Sequence, residues 1–311
     1  MEFLRMTDAN NRNPGLSSPI GQRLVDELFR IITIEPNATG ATTSAGKQLP
    51  KTRLSLQNAR FAGLPAVDWN NILEFSPGDV VAVTGTINEF KGHAQLKVQS
   101  ARLADDFDPA SLLPTYTGDV GALEARLNAY IKAIPDERLS RVAARLLDPE
   151  TDLGKKFRLA PASPAPSSHE PYLHGLLQHL LEVGETAQTL ALKAAGFRQQ
   201  EYGPLNMSFV MFGALLHDVA KTSAYEYGAD GIKFSNAGRL NGHLVESYAL
   251  IRDALMAAGD FSQQEIDAIL HIIASHHGPD SDQPPRTLEA VIVHHADYFC
   301  SQLGSRFGFP H

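Results

Sequence analysis

The spacing of apolar residues changes along the chain, and this change limits the possible folds more than any other feature. Between residues 21 and 104, apolar and polar residues alternate over short stretches, at 53–60 and 95–99, beside the Val- and Thr-rich stretch 79–87. This period of two is typical of β-strands with one exposed face. After residue 118, apolar residues recur every three to four positions, which is typical of helices. We therefore expect a small all-β unit followed by an all-α unit.

The β unit has room for about five short strands, the number found in an oligonucleotide-binding (OB) barrel. A glycine within 88–92 predicts a hairpin loop there. Another small barrel, used for packing or dimerisation, is the alternative. Asn, Pro and Ser near the start predict a flexible tail, and the Pro and Asp residues after the barrel predict a linker. The expected division is tail 1–20, OB-like barrel 21–104, linker 105–118 and helical domain 119–311.

Seven segments of the helical domain carry the helical spacing of apolar residues. They are 119–134, 136–147, 172–190, 206–219, 243–258, 262–276 and 287–303. Three prolines within 155–168 predict a loop in that stretch. The expected helical domain therefore contains seven or so helices.

Charge and cysteine content exclude several classes of protein. The net charge is −8, which argues against a protein that coats nucleic acid along its whole surface. Residues 1–104 carry 11 basic and 9 acidic side chains, whereas the remainder carries 16 and 26, so the near-neutral first part of the chain leaves room for a local phosphate-tracking surface. The single cysteine, Cys300, excludes an internal disulfide and a four-cysteine zinc site. With no apolar run of about 18 residues and no signal-peptide core, we expect a soluble, cytoplasmic protein.

A His-Asp pair, His217-Asp218, closes the apolar run 209–216. Burying a carboxylate there costs several kcal/mol unless the carboxylate is paired or binds a metal ion. Lys221 follows one helical turn later and projects from the same face. Its ammonium group could simply neutralise Asp218, or it could bind a substrate phosphate beside a metal ion.

Further imidazole and carboxylate side chains could converge on this pair. They are His179, His243, His276, His277 and Asp297. Nitrogen and oxygen ligands without thiolate suit Mn²⁺, Fe²⁺, Co²⁺ or Zn²⁺ and do not discriminate among them. A two-metal centre needs a carboxylate that bridges the ions, and such centres hydrolyse phosphodiesters. Asp218 is the natural bridge.

The order of these residues resembles the HD superfamily of metal-dependent phosphohydrolases. Together with the barrel and the phrases Gly175–His179, Gly213–Asp218 and Glu289-Ala290, the chain resembles the YhaM family of 3′→5′ exoribonucleases. That family joins an N-terminal OB fold to a C-terminal HD domain. The resemblance covers nearly the whole chain from about residue 21.

The resemblance implies two divalent ions, for which Mn²⁺ is expected and Fe²⁺, Co²⁺ or Zn²⁺ are alternatives. The first ion would be held by His179, His217, Asp218 and Asp297. The second would share Asp218 and be held by His243 and by His276 or His277.

The resemblance also implies the reaction. Asp218 and Lys221 would be catalytic, with Lys221 facing the scissile phosphate. A metal-bound hydroxide would release nucleoside 5′-monophosphates from the 3′ end of single-stranded RNA, with single-stranded DNA as a further substrate.

Three positions depart from the family pattern: Ala220 and His174 replace glycines, and Cys300 replaces an acidic residue. The last two leave the shape of the substrate pocket open. His169, His271 and His294 fall where the family tends to have histidine, and we expect them in the core or hydrogen-bonded to the ligands.

Single-stranded nucleic acid binds in basic grooves and stacks its bases on aromatic rings. We expect Phe61 and Phe75 to be core residues rather than stacking residues. The expected nucleic-acid-binding residues of the barrel are Trp69, Phe90, Lys91, Lys97 and Arg53. The barrel would then deliver RNA to the helical domain.

Two other functions fit the same residues. The chain could be an HD phosphohydrolase or phosphodiesterase acting on a nucleotide or cyclic dinucleotide, with the barrel used for assembly. It could also be a non-enzymatic RNA-binding adaptor whose metal ions are structural, although such a site has no need of a phosphate-facing lysine. The sequence leaves a homo-oligomer open.

Overall fold

The computed structural model describes residues 19–38, 51–69, 75–165, 168–197, 204–228, 231–279 and 282–307. The predicted tail 1–20 therefore lies almost entirely outside the described residues. The chain divides into two compact units, the first comprising Met1–Leu56 and Leu64–Ala104, the second Gln57–Gly63 and Asp105–His311. Within the described ranges, no helix is both long and apolar enough to cross a bilayer.

A closed barrel of five strands confirms the expected β architecture. The strands are β1 (Arg23–Ala38), β2 (Lys51–Asn58), β3 (Phe61–Asp68), β4 (Val80–Phe90) and β5 (His93–Leu103). They pair in the order β1-β2-β3-β5-β4, and β1 closes the barrel by pairing antiparallel with β4. The pairing of β3 with β5 is parallel. Five strands closed in this order are typical of an OB fold.

Alternation of side chains fills the barrel interior. In β2, Thr52 and Leu54 are buried while Arg53 between them is exposed. The β4–β5 hairpin turns on Lys91 and Gly92, which both have positive φ (54° and 83°). Such a two-residue turn matches the twist of the paired strands. The strands therefore continue to the turn, where the sequence predicts a loop over 88–92.

The second unit is helical, as expected. Its helices are α1 (Val120–Ala133), α2 (Glu137–Leu146), α3 (Asp152–Leu159), α4 (Gly175–Phe197), α5 (Met207–Leu216), α6 (Lys221–Ala224), α7 (Asn236–Leu240), α8 (Gly242–Ala258), α9 (Gln263–Ser275) and α10 (Leu288–Phe307). A 3₁₀-helix, Pro109–Leu112, lies in the segment predicted as a linker. That segment belongs to the second unit, where the Tyr116 N–H donates to the Leu173 carbonyl (3.0 Å).

Two short elements differ from the sequence prediction. Helix α3 occupies part of the predicted loop 155–168 because Thr151 caps its first turn and the first proline, Pro161, comes only after it ends. A two-stranded antiparallel hairpin, β6 (Tyr225–Gly228) and β7 (Gly231–Phe234), interrupts the helices. Four-residue strands are too short to show a clear period of two.

Helix α5 lies at the centre of the helical unit. Every residue from Val210 to Leu216 is buried, and α5 packs against α4, α9 and α10. Leu127, Leu176 and Phe212 belong to the largest core cluster. Fully burying each such side chain contributes about 1.5–3 kcal/mol. The most apolar helix thus ends deep inside the unit, directly before His217.

We expect Leu127→Ala to lower the free energy of unfolding by about 2–5 kcal/mol, because Leu127 is fully buried and the substitution leaves a cavity. The matched control is Leu192→Ala on α4, since Leu192 is 63% exposed. Denaturant-induced unfolding measures both changes. Equal destabilisation by the two variants would contradict this description of the core.

Candidate metal centre

The end of α5 places His217 and Asp218 in the protein interior. His217 is fully buried and Asp218 is 2% exposed. The His217 Nδ1–H donates to the Ala214 carbonyl (2.9 Å), which directs Nε2 away from α5. His276, at the end of α9, repeats this arrangement, because its Nδ1–H donates to the Ile273 carbonyl (2.7 Å). Since a carbonyl can only accept, both rings carry a proton at Nδ1 and present Nε2 to the site.

One group of side chains gathers around Asp297 of α10. The His179 Nε2 lies 3.1 Å from the Asp297 Oδ1, and the His217 Nε2 lies 3.6 Å from the same oxygen. The His217 Nε2 is also 3.4 Å from the Asp218 Oδ2. Helices α4, α5 and α10 therefore bring the four residues predicted for the first ion to one point.

A second group gathers around the other oxygen of Asp218. The Asp218 Oδ1 lies 3.2 Å from the His243 Nε2 and 3.4 Å from the His276 Nε2. The exposed His277 joins them, with its Nε2 3.3 Å from the His243 Nε2. Thus both members of the His276-His277 pair reach the site, and Asp218 is the residue common to the two groups.

Several buried polar atoms at this point have no hydrogen-bond partner among the described residues. They are the Nε2 atoms of His217 and His276 and the Oδ1 atom of Asp218. An unsatisfied buried polar group is costly, so native proteins rarely keep one without a ligand or ion. Imidazole nitrogens and carboxylate oxygens within 4.8 Å of one another fit a divalent cation.

Lys221 pairs with the carboxylate that both groups share. Its Nζ lies 2.6 Å from the Asp218 Oδ2, and both side chains are nearly fully buried. Burial alone would raise the pKa of Asp218, but Lys221 and then His217 hold it well below its usual value. Burial alone would lower the pKa of Lys221, but the Asp218 carboxylate holds it above its usual value. The site therefore contains a permanent anion and a permanent cation in contact.

The histidines of the site differ in their charge state near pH 7. Partial desolvation of their rings lowers the pKa of His243 and of His277 to about 4, so both rings are neutral near pH 7. Burial also disfavours the charged form of His217, yet the Asp218 and Asp297 carboxylates raise its pKa to about 10. Neutral imidazoles are ready metal ligands, whereas His217 would release a proton on binding an ion.

Glu170 is a site residue that the sequence does not reveal. Its side chain is buried, and its Oε2 lies 3.4 Å from the His179 Nδ1. A carboxylate at this nitrogen orients the ring so that Nε2 points to Asp297. Glu170 stands in a loop before α4 with a positive φ of 39°, so no helical spacing associates it with His179.

Of the three histidines that fall where the family tends to have histidine, two also lie at the site. The His169 Nε2 is 3.4 Å from the Lys221 Nζ, and the His294 Nδ1–H donates to the His276 carbonyl (2.8 Å). His271 instead accepts from the Arg286 N–H (2.9 Å) and does not contact the ligand groups. These contacts agree with hydrogen-bonding roles for His169 and His294.

The departures from the family pattern leave the ligand groups in place. Cys300 is buried beside Thr186 of α4, where burial raises the pKa of its thiol to about 11. Ser301, the next residue, lines the cavity instead. His174 has a positive φ of 68°, a conformation that glycine adopts without strain, and its ring contacts the Arg158 carbonyl (2.7 Å).

A cavity of about 400 Å³ opens over the two ligand groups. Asp218, Lys221 and Asp297 lie at its base, and Phe234 and Tyr298 also line it. Such a volume is in the range of small-molecule sites.

The barrel presents the predicted nucleic-acid-binding residues at its surface. Trp69 is 38% exposed and stacks below the Lys51 ammonium (4.6 Å from the ring centre), while Phe90 is 50% exposed beside Lys91 (5.5 Å). Arg53 is exposed and paired with Glu35 at 3.2 Å. Lys97 is also exposed, whereas Phe61 is buried and Phe75 is half-buried.

Comparison with known proteins supports the assignment of the helical unit. Residues 176–301 match the family model of the HD domain. This match implies divalent-metal binding and contains all the residues of the two ligand groups.

The chain carries an HD domain and resembles YhaM proteins along nearly its whole length. It is 29% identical over 283 residues to the 3′-5′ exoribonuclease YhaM of Geobacillus sp. (strain WCH70), covering 88% of this chain and 82% of that protein. The YhaM protein of Oceanobacillus iheyensis is 25% identical over 306 residues, covering 93% and 88%. The YhaM protein of Listeria innocua is 25% identical, covering 90% and 87%. These matches confirm the resemblance.

One solved structure also matches, the second OB-fold domain of replication protein A from Methanococcus maripaludis. It is 13% identical, with a TM-score of 0.23, and the match covers 29% of this chain and 88% of that one.

We expect Lys221→Met to lower the free energy of unfolding of the metal-free HD domain by about 3 kcal/mol, because it leaves the buried Asp218 carboxylate without its closest cation. Lys193→Met is the control, since Lys193 is an exposed residue of α4. Denaturant titration in the presence of a chelator measures both. An unchanged stability of the Lys221 variant would show that the ion pair is not needed for folding.

Proposed function

We propose that the chain is a metal-dependent 3′→5′ exoribonuclease that releases nucleoside 5′-monophosphates from single-stranded RNA. The observation that carries the proposal is the pair of ligand groups sharing Asp218 at the base of one cavity. The YhaM relatives are 3′-5′ exoribonucleases, which supports the same reaction. Single-stranded DNA is proposed as a further substrate.

The proposed first ion is held by His179, His217, Asp218 and Asp297, and the proposed second ion by Asp218, His243, His276 and His277. A pair of divalent ions, Mn²⁺ in this proposal, supplies Lewis-acid activation of water and neutralises charge on a phosphodiester. Asp218 would bridge the ions because its two oxygens face different ligand groups. Glu170 would hold the His179 ring in its binding orientation.

Lys221 would contact the scissile phosphate. Its Nζ lies at the base of the cavity between the Asp218 carboxylate and His169, so its position is fixed before a substrate binds. A preorganised cation at a phosphate stabilises the charge that develops in the transition state. Asp218 thus has two roles, as bridging ligand and as the group that positions Lys221.

The barrel is proposed to bind the RNA strand. Lys51, Arg53 and Trp69 belong to or follow β2 and β3, and Phe90 and Lys91 lie at the β4–β5 turn. These are the regions through which OB folds bind oligonucleotides. Each base stacked on an exposed ring contributes about 1–3 kcal/mol.

A nucleotide phosphodiesterase is the second candidate, since the cavity over the ligand groups is large enough for a mononucleotide. Oligoribonucleotides with a free and with a blocked 3′ end separate the two functions. An exoribonuclease shortens only the free one and releases mononucleotides. Hydrolysis of small nucleotide esters with intact RNA would favour the second candidate.

We expect Asp218→Asn to reduce Mn²⁺-dependent RNA hydrolysis by at least 10³-fold, because it weakens both proposed metal sites and releases Lys221.

His276→Ala should lower the metal content from about two ions to about one ion per chain. The control is His271→Ala, whose ring does not contact the ligand groups. Elemental analysis and product chromatography provide the measurements, and two ions retained in the His276 variant would contradict the ligand assignment.

In the barrel, we expect Trp69→Ala and Phe90→Ala each to raise KM for a long oligoribonucleotide about fivefold or more, with kcat little changed, because stacking is lost outside the HD domain. Hydrolysis of a p-nitrophenyl nucleotide ester should stay the same. Val25→Ala, which removes a 64% exposed barrel side chain, is the control. Unchanged KM values on long RNA would remove the barrel from substrate binding.

A further inference from the structure

A second cavity adjoins the one above the ligand groups. Its volume is about 380 Å³, and it shares Pro164, Ala165 and Phe234 with the first cavity. Its other lining residues include Lys233 and Arg239. A groove therefore leads from the ligand groups past the Phe234 ring to two basic side chains.

Phe234 is exposed but held in a fixed position. Its ring is 44% exposed and packs edge-on against Tyr225 (5.3 Å between centres), the residue with which it pairs in the β6–β7 hairpin. The Phe234 carbonyl accepts from the Arg239 Nη2 (3.0 Å). The next residue, Ser235, caps α7 and binds the Ala224 carbonyl through its N–H (2.9 Å). The Phe234 ring therefore presents an apolar face in a fixed position at the edge of both cavities.

Two of the three basic residues that line the described parts of the groove lie in the second cavity. Lys221 is the single Lys or Arg among the described residues that line the first cavity, where Tyr298 and Ser301 contribute neutral groups. Lys233 and Arg239 line the second cavity, although the chain from residue 105 onward carries 16 basic and 26 acidic side chains. Two cations at one place on an acidic domain indicate an anionic ligand.

Resting on the proposed function, we propose that Phe234 and Arg239 form the subsite for the nucleotide upstream of the scissile phosphate. The 3′-terminal nucleotide brings only the scissile phosphate, which Lys221 and the ligand groups would receive. The upstream strand brings further phosphates, so the cavity with additional cations suits it. The upstream base stacks on Phe234, and Arg239 contacts the next phosphate.

Three substrates test this subsite. A p-nitrophenyl ester of a nucleoside 5′-monophosphate has no upstream nucleoside, a dinucleoside monophosphate has an upstream base without a further phosphate, and a decaribonucleotide has both. Phe234→Ala should lower kcat/KM about fivefold or more for the dinucleotide and the decamer, and leave the ester within twofold.

Arg239→Gln should lower kcat/KM for the decamer alone, and make its logarithmic dependence on salt concentration shallower by about 0.7. Arg239→Lys should keep the salt dependence of the wild type, because it keeps the charge. If the Lys variant behaves like the Gln variant, Arg239 acts through the Phe234 carbonyl and the phosphate contact is wrong.

Matched controls are Phe299→Ala, a 53% exposed aromatic residue outside both cavities, and Arg252→Gln, an exposed arginine paired with Asp253. Both should leave all three substrates unchanged. If the wild type hydrolyses the ester but no RNA, the proposed function fails. If the wild type degrades RNA and the Phe234 and Arg239 variants affect all substrates equally or none, the subsite alone fails.

Discussion

The buried carboxylate of Asp218 is the group on which the site depends. Helix α5 carries it into the core, and there it meets Lys221 on one oxygen and three imidazole nitrogens within 3.4 Å across its two oxygens. One lysine does not satisfy both oxygens, so the fold keeps an anion whose remaining contacts are histidines, and the Nε2 atoms of His217 and His276 have no hydrogen-bond partner among the described residues. Such an arrangement is unfavourable by itself and becomes favourable when cations bind. The stability of the metal-free HD domain and its affinity for metal ions are therefore linked.

Much of the fold follows from local rules. The period of two in β2 and β5 and the helical spacing in α5 and α9 predict their elements to within a few residues, because each buries one face or all faces against the core. Helix α3 and the β6–β7 hairpin are missed for a different reason. Helix α3 has only eight residues and the two strands of the hairpin have four each, so these segments carry little periodic signal. Tertiary packing decides their structure.

The candidate site is likewise only partly predictable from the sequence. His217-Asp218 is predictable because a carboxylate beside an apolar run needs a partner. The choice between His276 and His277 is not, since adjacent residues at a helix end can both turn inward, and the structure brings both to His243. Glu170 is invisible because its role depends on a loop with positive φ. Cys300 follows Asp297 by three residues on α10, yet it contacts Thr186, so helical spacing alone does not assign a side chain to the cavity.

The distribution of charge explains why recognition has to be local. Exposed charges farther apart than about one Debye length, roughly 8 Å at physiological salt, are largely screened from each other, so distant basic side chains contribute little to binding a polyanion on a domain with an excess of acidic side chains. Attraction must therefore come from cations close to the substrate. In the proposed function, Lys221 in the first cavity and Arg239 in the second would provide such cations, and the barrel would add basic side chains beside exposed rings. In the proposed exoribonuclease, an RNA strand would be held by its phosphates and stacked bases, and only the phosphate at Asp218 would meet the proposed hydrolytic groups.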